Sequence, residues 1–226
     1  MPISVDANNT TDHTSYDNSH AINLPVLSTG DFILLLGTTG HLVNWTPPSG
    51  YTEIFDVAAS GTYPGLWAAY RLVTGAEGYT GDGSDTVTAT TSGSAKAVYI
   101  SYAISGAADP ASIAPVGSAS GQFSGQPDPP NVNFSAPGTH AVFAIGAIQS
   151  GTATVSSWPS GYTTAQVENP LSGESLAIYA CEDTVTGSSE NPGAYTLSQS
   201  LQTGQGTVAV AEAIASVSGG FGAFGL

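Results

Sequence analysis

The sequence predicts an all-β protein, a β-sandwich of jelly-roll type built from two internally repeated halves. Hydrophobic residues make up 41% of the 226 residues and are spread in short runs, so the chain can bury a core and does not have a disordered composition. The 28 Gly and 14 Pro residues punctuate these runs at the spacing expected of strands joined by turns. No stretch shows a sustained 3.6-residue period with capping residues, which argues against helices.

An internal repeat divides the chain into two similar units. The segment Pro-Ser-Gly-Tyr-Thr at 48–52 returns at 159–163, which is 111 positions later, and a tryptophan precedes each copy. Three further blocks recur in the same order at offsets of 109 or 110, so we interpret the units as copies. We predict an N-terminal arm, a first β unit, a Gly/Ser/Pro-rich surface crossover, a second β unit and a Gly/Phe-rich tail. Their bounds are 1–18, 19–107, 108–129, 130–216 and 217–226.

Four of the predicted strands come from two kinds of pattern. The continuous apolar runs 32–37 and 141–147 predict strands buried on both faces. Segments 86–90 and 195–198 are β-branched or aromatic with alternation, which is typical of half-buried strands.

The last strand of each unit is predicted from the repeat. Residues 97–104 alternate small and large side chains, which favours a central strand. Their counterpart, 208–214, is rich in Ala and suits a helix by propensity, but its repeat mate is β-branched and aromatic, so we predict a strand. The polar segment 1–18 is expected to be free of sheet. Each unit is long enough to fold alone, but we favour one sandwich in which the related halves pair across both sheets.

The charge balance excludes several partner classes. The chain has 17 acidic residues against two basic ones, a formal net charge of −15. Arg71 and Lys96 cannot neutralise a row of phosphates, so we expect no nucleic-acid partner. A polybasic membrane anchor is excluded on the same ground, and no apolar run approaches the roughly 18 residues of a spanning helix. The first residues lack the basic and apolar regions of a secretory signal.

The sequence contains no recognisable catalytic constellation, and we expect no catalytic residues and no cofactor. We interpret the four histidines as surface or edge imidazoles, because no Gly-x-Ser-x-Gly nucleophile motif accompanies them. We interpret the acidic residues as solvated carboxylates in turns. The four histidines are His13, His20, His41 and His140.

Metal binding has one weak candidate. Asp82 and Asp85 place carboxylate oxygens at the short spacing that Ca²⁺ prefers, but the loop does not match a twelve-residue calcium motif. Asp-Gly is also a common hairpin-turn dipeptide. Cys181 has no neighbouring Cys or His for zinc, so we predict no metal centre.

Aromatic residues mark the remaining candidate sites. Trp67 is a candidate contact for glycans. The Gly-rich tail carries three apolar side chains that could dock into a neighbouring subunit, namely Phe221, Phe224 and Leu226. Residues that recur at matching places are interpreted as turn and core positions of the two units. They are Trp45, Pro48, Gly50, Tyr51, Trp158, Pro159, Gly161 and Tyr162.

The order of these motifs resembles a β-sandwich module of tailed-bacteriophage virion proteins, which also occurs in bacterial surface proteins, commonly as two degenerate copies. The resemblance rests on segments 48–52, 67–70 and 98–106 and their counterparts. It implies a non-enzymatic virion structural protein, most simply a capsid decoration or a head-fibre component on the outer surface of the virion. Its partners would be the major capsid protein or fibre and tail subunits, and it would form a homo-oligomer, with a trimer as one form. The alternative is a carbohydrate-binding or adhesin-like module on a larger assembly.

Overall fold

The structure is a computed structural model in which the described residues form antiparallel β-strands and no helix. Sheets packed against each other account for the core, an arrangement consistent with the predicted β-sandwich. Because the described part of the chain contains no helix, it contains none that could cross a membrane. The described residues are 1–40, 42–60, 63–122, 125–149, 153–168 and 176–214.

The first sheet uses only strands from the first half of the chain. Its order is β1-β6-β2-β5-β4, and the short β3 also pairs with β6. The predicted strand at 32–37 is confirmed, and all eight residues of the observed strand are buried. The bounds are β1 Ser4–Asn23, β2 Phe32–Thr39, β3 Trp45–Thr46, β4 Thr52–Val57, β5 Gly65–Leu72 and β6 Thr86–Ser105.

The second sheet uses only strands from the second half. Its order is β10-β11-β8-β13-β7, while β9 and β12 form a separate two-stranded sheet. The short strands β3, β9 and β12 can be left out, and the five remaining strands of each half numbered along the chain. Read from the edge strand β1 in the first sheet and from the edge strand β7 in the second, both large sheets then have the strand order 1-5-2-4-3. The bounds are β7 Val116–Gln122, β8 Val132–Gln149, β9 Val155–Ser157, β10 Thr163–Glu168, β11 Leu176–Glu190, β12 Thr196–Leu197 and β13 Thr203–Ala211.

The main core lies between the two large sheets. Leu34 and Ile100 of the first sheet belong to the same buried cluster as Phe143 and Ile145 of the second. Alternate residues of the same strands face the other way and form a separate buried cluster on the outer face of each sheet. Strands such as β2 are therefore covered on both faces, which explains their continuous apolar sequences.

The jelly-roll arrangement is not confirmed. It would place strands of both halves in each sheet, whereas each large sheet takes its strands from one half of the chain. The two sheets nevertheless share one core, so the described strands form one sandwich and not two.

The expectation that residues 1–18 are free of sheet is wrong. Strand β1 begins at Ser4 and pairs with β6 from Ser4 opposite Ser105 to Asn23 opposite Thr86. Its sequence is polar because the strand lies at an edge, and the backbone hydrogen bonds to β6 stabilise it without a continuous apolar face. Likewise, the segment expected to be a surface crossover contains β7, whose seven residues pair with Thr203–Ala209 of β13.

Glycines of the second sheet leave room for large side chains of the first. A Cβ atom on Gly206 would lie 3.0 Å from Phe55 and 3.1 Å from Leu66, and one on Gly117 would lie 2.6 Å from Ile54. These distances are shorter than ordinary carbon contacts, so the absence of a side chain on β7 and β13 allows the sheets to approach closely.

The strand register differs from the sequence alignment of the two halves. The alignment matches Tyr70 with Tyr179, but Tyr70 lies opposite Leu34 and packs against the central core, whereas Tyr179 lies opposite Gly146 on the outer face. Because side chains alternate between faces, an offset that is wrong by an odd number of residues exchanges the two faces. In the strand pairing, Tyr179 lies opposite Gly146 in the second sheet, and Trp67 lies opposite Gly37 in the first. The structural counterpart of Tyr179 is therefore Trp67 and not Tyr70.

Candidate functional site

The first repeated motif forms a tight turn that leads into β4. The amide of Tyr51 donates to the carbonyl of Pro48 at 3.0 Å, and Gly50 has a φ of 80°. A positive φ at the third residue is what this type of β-turn requires, so glycine is favoured there. The Arg71 guanidinium donates to the Ser49 carbonyl at 3.3 Å and lies over the ring of Tyr51, with 6.0 Å between its central carbon and the ring centroid.

The second copy forms the same turn before β10. The amide of Tyr162 donates to the carbonyl of Pro159 at 3.3 Å, and Gly161 has a φ of 92°. The Tyr162 hydroxyl donates to the Glu190 carboxylate at 3.4 Å. Tyr162 and Pro159 are buried, whereas Trp158 is partly exposed and packs edge-on against Tyr195.

Trp67 is not available to a sugar in this structure. Its side chain is 1% exposed, lies over Gly37 and stacks on Trp45 with 3.7 Å between ring centroids. A Cβ atom on Gly37 would overlap the Trp67 ring, so the glycine makes room for it. The predicted glycan contact is therefore corrected to a core position, because stacking on a sugar needs an exposed ring face.

The loop with Asp82 and Asp85 uses its carboxylates internally. Asp82 accepts hydrogen bonds from the Thr80 hydroxyl at 2.7 Å and from the Ser84 amide and hydroxyl at 2.9 and 2.6 Å. Asp85 accepts from the amides of Thr80 and Gly81 at 3.0 and 2.9 Å. The bonds from Ser84 and Thr80 lower the pKa of Asp82 to about 2. Both carboxylates thus stabilise the loop as hydrogen-bond acceptors.

Arg71 is held by a second acidic loop. Its guanidinium donates to Glu77 at 3.1 Å, and Glu77 also accepts from the amides of Thr74 and Gly75. Burial alone would raise the pKa of Glu77, but the bonds from Thr74, from backbone amides and from Arg71 lower it to about 2. Arg71 therefore connects the repeated turn to this loop.

Two histidines lie on the outer face of the first sheet. The rings of His13 and His20 meet edge-to-face at 5.0 Å, and both lie within 6 Å of the Tyr99 ring. The Thr91 hydroxyl donates its hydrogen to the Gly93 carbonyl, so at 3.2 Å it accepts from Nε2 of His20. Burial and the neighbouring His13 lower the pKa of His20 to about 4. The interpretation of His20 as a surface imidazole is wrong, because the ring is buried, although the residue lies on the edge strand β1.

His140 is also buried and lines a cavity that the sequence did not indicate. Its ring stacks on Phe134 at 4.0 Å, and its Nδ1 donates to the Gly138 carbonyl at 3.2 Å. Burial lowers its pKa, which favours the neutral ring. The cavity has a volume of about 190 Å³, and its lining includes Glu212 and Ile214. The interpretation of His140 as a surface or edge imidazole is therefore also wrong.

A second cavity lies where the two sheets meet near the start of β1. It has a volume of about 240 Å³ and is lined by Val5, Thr163, Thr184 and the carboxylate residues Glu182 and Asp183. Within the described ranges, no group of three or more His, Cys, Asp and Glu residues could hold a metal ion. The cavity is polar, and its lining includes Thr163, the last residue of the second Pro-Ser-Gly-Tyr-Thr motif.

Four edge strands end the two large sheets, and they differ in how they are protected. Strands β1, β4 and β10 each carry at least one acidic residue and a register shift. Strand β7 pairs with β13 over seven consecutive residues without a shift and contains no charged residue. This edge is not evident from the sequence, because its Gly- and Ser-rich composition resembles that of a loop.

The apolar tail and one histidine lie outside the described residues. They are Phe221, Phe224, Leu226 and His41, so the predicted docking role of the tail stays a prediction. In comparisons with known proteins, no family model, curated protein or solved structure matches this chain.

Proposed function

We propose that this chain is a non-enzymatic structural subunit of a tailed-phage virion, a capsid decoration or head-fibre component that binds neighbouring virion subunits. The observation that carries the proposal is the duplicated architecture. Both large sheets have the same strand order, and the same Pro-Ser-Gly-Tyr turn precedes the third major strand of each. Such tandem β units are the feature through which the sequence resembles virion modules.

In this proposal the two halves are copies of one β unit that form the two layers of a sandwich. Equal strand order and equal turns support a common origin of the halves, and a jelly-roll ancestry is one form of this hypothesis. The side chains whose chemistry would suit catalysis or ligand binding are used to stabilise the fold. Trp67 packs in the outer core, His20 bonds to Thr91, and the Asp82 and Asp85 carboxylates fix a loop.

The proposed location is the outer surface of the virion. A net charge of −15 keeps the subunit away from packaged nucleic acid and favours contacts made by uncharged surfaces. The capsid protein or fibre and tail subunits would be the partners, and the tail residues Phe221, Phe224 and Leu226 are proposed anchors to them. Homo-oligomers, including a trimer, fit this role.

The test is the copy number of the chain in purified particles of the phage that encodes it. A copy number that is a fixed multiple of the capsid lattice supports decoration, and a few copies per particle support a fibre or tail location. Absence from purified particles contradicts the proposal. Deletion of 216–226 tests the anchor, because the truncated chain should lose incorporation while it retains its fold.

A glycan array tests the alternative of a carbohydrate-binding module. Its named contact, Trp67, is buried under Trp45, so we expect no hit that depends on an accessible Trp67 ring. Specific hits that Trp67→Ala abolishes, with the fold intact by circular dichroism, would favour the alternative.

A further inference from the structure

We propose that a proton on His20 opens the folded end of the β1–β6 pair, so that this end of the molecule is a switch that responds to acid. The folded end comprises residues 14–23 of β1 and 86–96 of β6. Such a switch would belong to the subunit itself and does not depend on the virion role. Two features support it, namely the way in which β1 turns back beside itself and the surroundings of His20 after that turn.

Strand β1 turns back beside itself near its middle. The Nδ2 of Asn9 donates to the Leu24 carbonyl at 3.2 Å. The Ser101 hydroxyl of β6 lies 3.4 Å from the carbonyl oxygen of Asn9 and 2.7 Å from that of Asn23. In a straight strand the distance from Asn9 to Asn23 would be about 48 Å. Strands β1 and β6 therefore bend together, and the later part of β1 lies against the outer face of the first sheet.

The pairing of β1 with β6 is weakest at this bend. The register shifts twice between residues 13 and 19, and the side chains from 14 to 19 are exposed. In the five residues that follow the bend, 19–23, the only buried side chains are those of His20 and Ile22. A segment with so few buried groups opens at a lower free energy than strands that are covered on both faces.

His20 closes the folded end as a neutral ring. The ring is fully buried, and its Nε2 donates to the Thr91 hydroxyl at 3.2 Å. A neutral imidazole with its hydrogen on Nε2 has none on Nδ1, and this Nδ1 has no hydrogen-bond partner among the described residues. A second proton would therefore sit on Nδ1, where the closed form offers no acceptor. Burying a charged donor without a partner is unfavourable, so the proton favours the open form.

The groups around His20 oppose a charge on its ring. The titratable or charged residues on the elements packed against it are His13, Asp12 and Asp17 of β1 and Tyr99 and Lys96 of β6, while β3 contributes none. Burial, followed by His13 with its ring 5.0 Å away, lowers the pKa of His20 to about 4 and outweighs Asp17, which favours the charged ring. In the open form the ring regains water and an ordinary pKa near 6.5.

Acid should therefore expose an aromatic surface. Because the closed form binds the proton more weakly than the open form, the ratio of open to closed molecules should rise about twentyfold between pH 7 and pH 5. Ile22 and Leu24 belong to the same outer cluster as Trp67 and Tyr99. Opening of the folded end removes Ile22 from this cluster and uncovers Tyr99, which is fully buried in the closed form.

The experiment follows amide hydrogen exchange by mass spectrometry at pH 7 and pH 5, with each rate corrected for the pH dependence of intrinsic exchange. In the wild type, the corrected exchange of residues 19–23 should rise about twentyfold between pH 7 and pH 5. At pH 5 it should also be at least about tenfold faster than exchange in β2, whose eight residues are all buried, because the folded end opens without the rest of the sheet.

Two variants test the role of His20. His20→Gln should abolish the rise, since glutamine takes up no proton. The matched control is His140→Gln, which removes a buried histidine of the second sheet and should retain the rise. Far-UV circular dichroism verifies the folding of both variants.

The outcomes that would overturn the proposal are distinct. Equal exchange in residues 19–23 and in β2 at pH 5 would show that this end opens only when the whole protein unfolds. A rise that persists in His20→Gln, or one that His140→Gln also removes, would show that His20 is not the group responsible. The wild-type comparison decides the first point even if His20→Gln does not fold.

Discussion

Trp67 and Gly37 show how a single missing side chain determines where an aromatic ring can lie. Gly37 sits between Trp67 and Tyr99 on the outer face of the first sheet, since it is the cross-strand partner of both. The Trp67 ring lies over the glycine and is covered by Trp45. The position of the ring is therefore set by the residue opposite it as much as by its own strand.

Gly37→Ala should destabilise the protein by about 1–3 kcal/mol, because a methyl group at this position overlaps the Trp67 ring and forces it to move. Urea unfolding measures the loss, and the tryptophan fluorescence of the native state should change at the same time. The control is Gly187→Ala in β11, where an added Cβ would meet only ordinary contacts, the nearest at 3.7 Å. Equal effects of the two substitutions would refute this account.

His20 should make the stability of the protein depend on pH. Its pKa is about 4 in the folded state and near 6.5 in the unfolded chain, so the unfolded state binds the proton first as the pH falls. The free energy of unfolding should therefore decrease from about pH 6.5 to about pH 4, with a contribution from His20 of roughly 1–3 kcal/mol. His20→Gln removes this contribution.

The measurement is the difference in unfolding free energy between the wild type and His20→Gln at several pH values. Groups that do not interact with residue 20 contribute equally to both proteins and cancel in this difference. It should be largest above pH 6.5 and become smaller toward pH 4. A difference that does not vary with pH would show that His20 does not titrate as the burial of its ring requires.

At the scale of elements, β1 and β7 depend on backbone pairing more than on side-chain patterns. Asn8, Asn9 and Thr10 of β1 are only half-buried, yet they lie opposite the buried residues Tyr102, Ser101 and Ile100 of β6. The strand is fixed by hydrogen bonds to a neighbour that is itself covered on both faces. A polar strand of this kind gains little from burial of its own side chains.

Amide hydrogen exchange should show about half of the amides in β1 to be protected, since alternate residues of an edge strand bond to the neighbour. The protected amides should lie on both sides of the irregularity between His13 and Ser19. Uniformly fast exchange over Ser4–Asn23 would instead agree with a sheet-free arm and would contradict the pairing with β6.

The elements that sequence analysis predicted correctly are those with strong side-chain patterns. Strand β2 and the apolar part of β8 are buried on both faces, so a continuous apolar run reveals them. Strands β1 and β7 were missed because main-chain hydrogen bonding leaves no mark in polar or Gly-rich sequence. Trp67 was misassigned as a contact because its burial depends on Gly37 and Trp45, which only the folded chain brings to it. The cavity with His140 and Glu212 also joins residues that are far apart in sequence.

At the scale of the whole molecule, the shared core couples the two halves. Leu34 and Phe143 belong to one buried cluster although they come from different sheets, and Phe55 packs into the space above Gly206. Neither sheet covers its own inner face, so we expect the halves to unfold together.

Leu34→Ala in the first sheet should speed chemical labelling of Cys181 in the second. Cys181 is buried, burial raises the pKa of its thiol to about 12, and labelling therefore requires unfolding. The substitution should cost about 2–5 kcal/mol of stability and raise the labelling rate by at least about tenfold. Val26→Ala, at a position 58% exposed in the same half, is the control and should leave the rate unchanged. An unchanged rate in Leu34→Ala would show that the sheets open independently.

The assignment of one whole sheet to each half of the chain has a consequence for biosynthesis. All strands of the first sheet leave the ribosome before β8 starts to emerge. At typical elongation rates, roughly 5 to 20 s pass between the emergence of the end of β6 and the emergence of the end of β13. During that interval the inner face of the first sheet, with Phe32, Leu34 and Ile100, has no cover from its own chain. Newly made first halves on neighbouring ribosomes expose the same apolar face to each other. The yield of folded protein should therefore depend on translation speed and chaperone supply as well as on the stability of the finished sandwich.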